Sequence, residues 1–97
     1  MAKRTNKYRL TLEQLSLAKE DGVLQPPVQF EFENHDEIFN IMEILKEKNL
    51  FGNENQSVEF AVGLKLFGEV MLKNRKHPLF EILNPAFGEF MKKLKSS

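Results

Sequence analysis

The chain has 97 residues and no cysteine, and its 14 basic residues are balanced by 14 acidic ones. This length suits one domain, and the absence of cysteine excludes disulfides, thiolate catalysis and thiolate metal sites. The zero net charge argues against a nucleic-acid-binding domain, which is typically strongly basic.

The charges are unevenly distributed along the chain. Residues 1–9 carry four bases and no acid, residues 10–60 carry eleven acids and three bases, and residues 61–97 carry seven bases and three acids. We expect the basic ends to fold near the acidic middle. The weaker alternative is a nucleic-acid surface formed by the basic side chains Lys3, Arg4, Lys7, Arg9, Lys73, Arg75 and Lys76.

The N-terminal residues do not have the pattern of a secretory signal. Lys3 and Arg4 are not followed by an apolar stretch, and no apolar run is long enough to span a bilayer. We therefore expect a cytoplasmic protein without a membrane partner.

Two segments have the period-2 alternation of half-buried strands. Apolar and polar residues alternate over 8–12 and, most clearly, over 28–32 (VQFEF). The apolar positions change phase at Leu15 and Leu17, which predicts a bulge or bend near Glu13 and Gln14. The simplest pairing is an antiparallel hairpin with a long connection.

Four helical segments follow the strands. The first is predicted to begin with Asn34 as its cap and Glu37 in the capping-box position, and to stop at Gly52. The second runs from about Gln56 to Lys73. Pro78 starts a short helical turn. A last amphipathic helix is predicted with Asn84 as its cap, Pro85 as its first residue and Lys92, Lys93 and Lys95 at its end.

The second helix is apolar on most of its sides, so it is expected in the middle of the domain or in a subunit interface. Its Gly63 and Gly68 suggest close backbone approach by a neighbour. The nine phenylalanines are expected to fill the core between a two-stranded sheet and the covering helices. The predicted fold is therefore a single α+β domain over residues 1–97, with a two-stranded antiparallel N-terminal sheet covered by three to four C-terminal helices.

Two longer stretches, 34–52 (NHDEIFNIMEILKEKNLFG) and 63–94 (GLKLFGEVMLKNRKHPLFEILNPAFGEFMKKL), together with the opening YRLTLE over 8–13, resemble a family of small bacterial proteins known as a domain of unknown function. The resemblance covers nearly the whole chain. It implies a compact bacterial cytosolic protein and no particular activity, substrate or catalytic residue.

The candidate sites are weak by themselves. A basic cluster of Lys73, Arg75, Lys76 and His77 has the composition of an anion or partner patch, although it also suits a solvated helix end. His35 lies among acids that helix capping already explains, so a metal there is disfavoured. Glycines 63 and 68 have the spacing of a phosphate loop, but Glu69 stands where a lysine is required.

No catalytic residue, cofactor site or metal site is predicted. The favoured hypothesis is a non-enzymatic interaction or regulatory module that forms a homodimer through its strand edges or its second helix. The alternative is a small-ligand-binding protein or minor enzyme with a pocket between sheet and helices, to which Tyr8, Arg9, His35 or His77 would contribute polar groups.

Overall fold

The computed structural model describes residues 4–97, so Lys3 of the basic N-terminus lies outside the described residues. The elements are β1 (Asn6–Leu12), β2 (Val28–Asn34), α1 (Ile38–Lys48), α2 (Glu54–Lys73), α3 (Pro78–Glu81) and α4 (Asn84–Ser96). The chain divides into two compact units, a hairpin unit that ends at Asp36 and a helical unit from Glu37 to Ser97. The predicted α+β class, with a two-stranded sheet followed by four helices, is confirmed.

In the hairpin unit, β1 and β2 pair antiparallel in the register Asn6↔Asn34 to Leu12↔Val28. The strict alternation gives the sheet one polar face and one apolar face, because successive side chains point to opposite sides. The polar face carries Lys7, Arg9, Thr11, Gln29, Glu31 and Glu33, and the apolar face carries Tyr8, Leu10, Leu12, Val28, Phe30 and Phe32.

The expected bulge near Glu13 and Gln14 is absent, because β1 ends at Leu12 and no strand follows before residue 28. The side-chain oxygen Oε1 of Gln14 instead accepts a hydrogen bond from the backbone N–H of Gln25 at 2.6 Å, which ties the two limbs of the connection together. The phase change at Leu15 therefore marks the end of the strand.

The start of α1 differs from the sequence prediction. Asn34 ends β2, and its Oδ1 accepts from the N–H of Asp36 at 2.9 Å. Glu37 is the N-cap, with its carboxylate accepting from the N–H groups of Phe39 and Asn40. Asn34 stays with the sheet because the β1 side chain of Asn6 donates to the backbone oxygen of Asp36 at 3.1 Å and fixes this turn.

Other helix ends also differ from prediction. α1 ends at Lys48, where Asn49 adopts the left-handed conformation, and Gly52 (φ 68°) lies in the following turn. α2 begins earlier than expected, at Glu54, with Asn53 as its N-cap. Asn84 does not cap α4; its side-chain amide donates to the backbone oxygen of Arg75 at 3.3 Å. Pro78 opens α3 as predicted.

The core of the helical unit is small. α1 and α2 pack against each other, and among the described residues the buried apolar side chains are Ile38 and Leu45 of α1 and Ala61 and Met71 of α2. None of the nine phenylalanines is fully buried, and five of them are exposed. The expectation of a phenylalanine core is therefore wrong: small and aliphatic side chains occupy the interior.

The second helix, α2, is not enclosed by the rest of residues 4–97. Phe67, Val70 and Leu72 are exposed, although their composition predicts a central helix. Gly63 and Gly68 lie inside continuous helix, and a Cβ at Gly63 would meet no atom within 4 Å. Close approach of a neighbouring backbone therefore does not explain Gly63 within the described residues.

Candidate functional site

The predicted basic cluster lies at the junction of α2 and α3. Lys73 is the last residue of α2, Arg75 and Lys76 lie in the turn, and His77 precedes Pro78. All four are exposed, and none forms an ion pair with another residue of the described part of the chain. All four predicted residues are therefore accessible to solvent, and their role as an anion or partner patch stays a prediction.

His77 has a structural role within this cluster. Its ring nitrogen Nδ1 accepts a hydrogen bond from the N–H of Leu79 at 3.1 Å, so His77 is the N-cap of α3. A ring nitrogen that accepts a hydrogen bond carries no proton. In a neutral imidazole this contact therefore corresponds to the tautomer with the proton on Nε2.

His35 belongs to the turn after β2. Its Nε2 lies 3.6 Å from Oδ1 of Asp36, and the backbone oxygen of Asp36 accepts from the hydroxyl of Tyr8 at 3.1 Å. Among residues 4–97 no group of three or more histidine, cysteine or carboxylate side chains is placed to hold a metal ion. The Asn34 and Glu37 side chains instead bond the backbone of this turn and of the first turn of α1.

A continuous row of aromatic rings crosses the helical unit. Neighbouring ring centroids are 5.4 to 6.2 Å apart, mostly in edge-to-face geometry. This aromatic row starts in the turn after α1 and ends at the basic cluster, in the order Phe51, Phe60, Phe90, Phe87, Phe67, Phe80 and His77.

Two open hollows flank this row between α2 and α4. The first, with a volume of about 480 Å³, is lined by Phe51, Phe60, Phe90 and Leu94 among others. The second, about 450 Å³, is lined by Leu64, Phe67, Leu83, Ala86, Phe87 and Phe90. Ala86 and Phe90 line both hollows, so together they form one apolar groove along α2, which we call the aromatic groove.

The polar face of the hairpin carries a small ion network. The Arg9 guanidinium lies 2.8 Å from Oε2 of Glu31, and Nζ of Lys7 lies 3.5 Å from Oε1. The hydrogen bond from Arg9, and then the hydrogen bond and charge of Lys7, hold the pKa of Glu31 below its usual value. The pairing therefore favours the folded hairpin above the ordinary glutamate pKa, and this contribution is lost as the pH falls through the lowered pKa.

Replacing Arg9 with glutamine is expected to raise the pKa of Glu31, because the largest cause of the lowered value is removed. An NMR titration of the Glu31 side-chain carboxyl would measure the change. The same replacement at the exposed Arg4 should leave the Glu31 titration as it is. An unchanged Glu31 titration in the Arg9 variant would contradict the pairing.

The fold and these surfaces define a class: a small α+β protein with an N-terminal β-hairpin, four helices and an apolar groove lined by α2 and α4. The chain belongs to the family described as a domain of unknown function with a solved structure (DUF3861), whose model matches residues 6–96. This confirms the resemblance to a domain of unknown function.

A similar solved structure is a protein of unknown function from Pectobacterium atrosepticum. It is 38% identical, the match covers 97% of this chain and 100% of that one, and the TM-score is 0.83. The comparison with curated proteins found no match. Within residues 4–97, no helix combines the length and the apolar character needed to cross a membrane.

Sequence reasoning missed the aromatic groove. Periodicity identifies apolar positions such as Phe60, Phe67 and Phe90 without distinguishing a ring in the core from one beside an open groove. The sequence did contain one indication of the groove: α2 has more apolar side chains than its contact with α1 can cover.

Proposed function

We propose that this protein is a non-enzymatic interaction module that self-associates through its N-terminal hairpin. The observation that carries the proposal is an exposed apolar surface at the connection end of the hairpin. We call it the hairpin patch; its members are Leu12, Leu15, Val23, Leu24, Val28 and Phe30. Large exposed apolar patches on soluble proteins mark sites of contact with other proteins.

The exposure in the hairpin patch is large for aliphatic side chains. Leu12 and Val28 are directly opposite each other in the sheet and are 67% and 58% exposed. Leu15 and Val23, in the connection, are 82% and 79% exposed. Burying an apolar side chain of this kind is worth about 1.5–3 kcal/mol of free energy. Contact with a second copy of the patch would gain this free energy for each of the four side chains.

The strand edges support the same interpretation. In the described part of the chain, β1 and β2 pair only with each other, so each has an outer edge without a strand partner. Two-stranded sheets are only marginally stable in water, and open edges invite further pairing. A two-fold contact between hairpins would bring identical patches together and extend the sheet.

The experiment is sedimentation velocity and light scattering over a concentration series. The expected species has twice the mass of the 11.3 kDa chain. Replacing Leu15 and Val23 with aspartate should raise the dimer dissociation constant about a hundredfold or more, since the loss of about 3 kcal/mol corresponds to two factors of ten.

The matched control is Ile82→Asp, which places the same charge at an even more exposed aliphatic residue of the helical unit. This variant should keep the wild-type mass. A wild-type protein that stays monomeric at high concentration would overturn the proposal, and so would a Leu15/Val23 variant that dimerises as well as the wild type.

A further inference from the structure

The two outer edges of the hairpin differ in what they offer to a second copy of the chain. Pro26 and Pro27 directly precede β2, whereas no proline occurs in residues 6–18, which contain β1 and its continuation. Proline has no backbone N–H, so it cannot donate to a neighbouring strand and it stops strand pairing where it stands. The chain therefore blocks the continuation of the β2 edge and leaves that of β1 open.

The symmetry of a dimer limits how these edges can pair. In a contact with two-fold symmetry each strand meets its own copy, running antiparallel to it. Successive side chains of a strand point to opposite faces, so like faces join only in a register that is centred on a residue. That central residue lies opposite its own copy, and its position decides which charges meet.

On β2 each register that pairs three or more strand residues brings together groups that do not fit. A centre at Glu31 or Glu33 places that residue opposite itself, and a centre at Phe32 places the two glutamates opposite each other. Like charges that lie directly opposite destabilise a sheet. A centre at Phe30 or earlier brings Pro27 opposite a residue of the second copy's β2. The outer edge of β2 is therefore unsuited to pairing with itself.

On β1 a favourable register exists. With its centre at Thr11, Arg9 lies opposite Glu13 of the second copy, and Leu10 lies opposite Leu12. Charges of opposite sign then meet on the polar face, and aliphatic side chains meet on the apolar face. Glu13 is exposed directly after the end of β1, so its carboxylate is accessible to a second copy.

The pairs within each hairpin extend this contact into rows across four strands. Leu10 is opposite Phe30 and Leu12 is opposite Val28 in one chain. Each apolar row therefore consists of Phe30 and Leu10, followed by Leu12 and Val28 of the second copy. Three of these four residues belong to the hairpin patch. The outer strands of the sheet are then both β2, whose prolines and acids disfavour further pairing, so the assembly ends at two copies.

We propose that two copies of this chain pair through the outer edge of β1, antiparallel and centred on Thr11, into a four-stranded sheet with β2 on both outer edges. This inference rests on the proposed self-association and names its strand and register. Arg9 lies 2.8 Å from Oε2 of Glu31. Its guanidinium has several N–H donors, so it also serves the carboxylate of Glu13 from the second copy.

The first experiment introduces a single cysteine into this cysteine-free chain. In a dimer of the Thr11→Cys variant the two thiols belong to directly opposite residues. The Cα atoms of such residues are about 4.5–5.5 Å apart, a distance that a disulfide bridges. Oxidation with diamide at a concentration that favours the dimer should therefore give a disulfide-linked dimer as the main species in non-reducing electrophoresis.

The matched control is Gln29→Cys. Gln29 lies opposite Thr11 on the same exposed face, and its Nε2 donates to Oγ1 of Thr11 at 2.9 Å, so both replacements remove the same hydrogen bond. In the proposed dimer the two copies of residue 29 are three strand spacings apart, about 14 Å, which is too far for a disulfide. Cross-linking of the Gln29 variant in place of the Thr11 variant would assign the contact to β2 and overturn the inference.

The second experiment tests the register by charge. Glu13→Lys places a base opposite Arg9 at two symmetric positions of the dimer. The dissociation constant measured by sedimentation should rise about tenfold, and added salt should narrow the difference from the wild type. Glu20→Lys makes the same change at another exposed glutamate of the connection and should dimerise as the wild type does. A dissociation constant unaffected by Glu13→Lys would contradict the register.

The mass of the Thr11→Cys variant under reducing conditions separates this inference from the proposed function. The expected species is the dimer. A reduced variant that has the mass of a dimer but does not cross-link on oxidation would overturn pairing through β1 and leave self-association through the hairpin standing, as in two hairpins stacked by their apolar faces. A wild-type chain that is monomeric at every concentration would overturn both.

Discussion

Replacing Ala61 with aspartate is expected to lower the free energy of unfolding of the helical unit by about 4 kcal/mol or more. Ala61 is 0% exposed in the middle of α2, so a carboxylate there would lose its hydration. A domain of this size has a total stability of about 5–15 kcal/mol, so the variant should be largely unfolded on modest heating. Urea and thermal unfolding followed by circular dichroism would measure the loss.

The matched control for this change is Gly63→Asp, two positions along the same helix. Gly63 is exposed, and a Cβ built there meets no atom within 4 Å. Aspartate and glycine are both poor helix formers, so the free energy of unfolding is expected to change by no more than about 1 kcal/mol. Equal unfolding curves for the Ala61 variant and the wild type would show that α2 does not pack through Ala61.

Replacing Leu45 with alanine is expected to have the second large effect, lowering the free energy of unfolding by about 3 kcal/mol. Leu45 is 3% exposed on α1, which packs on α2, and truncation removes buried methyl groups and leaves a cavity. For a chain of this length each kcal/mol lowers the unfolding midpoint by roughly 4–8 °C, so a shift of at least about 12 °C should be seen by calorimetry.

Ile44→Ala tests whether burial causes the effect. Ile44 precedes Leu45 on the same helix, and its side chain has the same number of carbon atoms but is 40% exposed. Truncating Ile44 to alanine should lower the free energy of unfolding by no more than about 1 kcal/mol, because much of the side chain is already in water. If the two variants lost equal stability, the assignment of Leu45 to the core would be wrong.

The proposed self-association gives a physical account of part of the exposed apolar surface. A core of Ile38, Leu45, Ala61 and Met71 is small for a chain with nine phenylalanines. The hairpin patch and the aromatic groove carry much of the remaining apolar surface, one in each unit. Contact of the hairpin patch with a second copy would remove part of that surface from water.

The residues that the sequence placed correctly are those whose role is local. Alternation over 28–32 identified β2 and its two faces, and Pro78 identified the start of α3. Lys73, at the end of α2, also lies where the sequence predicted a helix end. Such features depend on neighbours within about one helical turn, and these neighbours are readable from the sequence.

Long-range contacts decided the details that the sequence left open. Whether Asn34 caps a helix or ends a strand depended on Asn6, which donates to the backbone oxygen of Asp36 from the partner strand. Whether Gln14 continues β1 depended on its bond to Gln25. In both cases the deciding partner is distant in sequence, so local propensity was overridden.

The sequence by itself determined the α+β order and the hairpin with its two faces, since both follow from the period of the apolar residues. Only the tertiary structure decided that Ala61 and Leu45 form the interior while rings such as Phe67 and Phe90 line an open groove. The physical reason is that periodicity fixes which face of a helix is apolar, whereas burial depends on how much of that face a neighbouring helix covers.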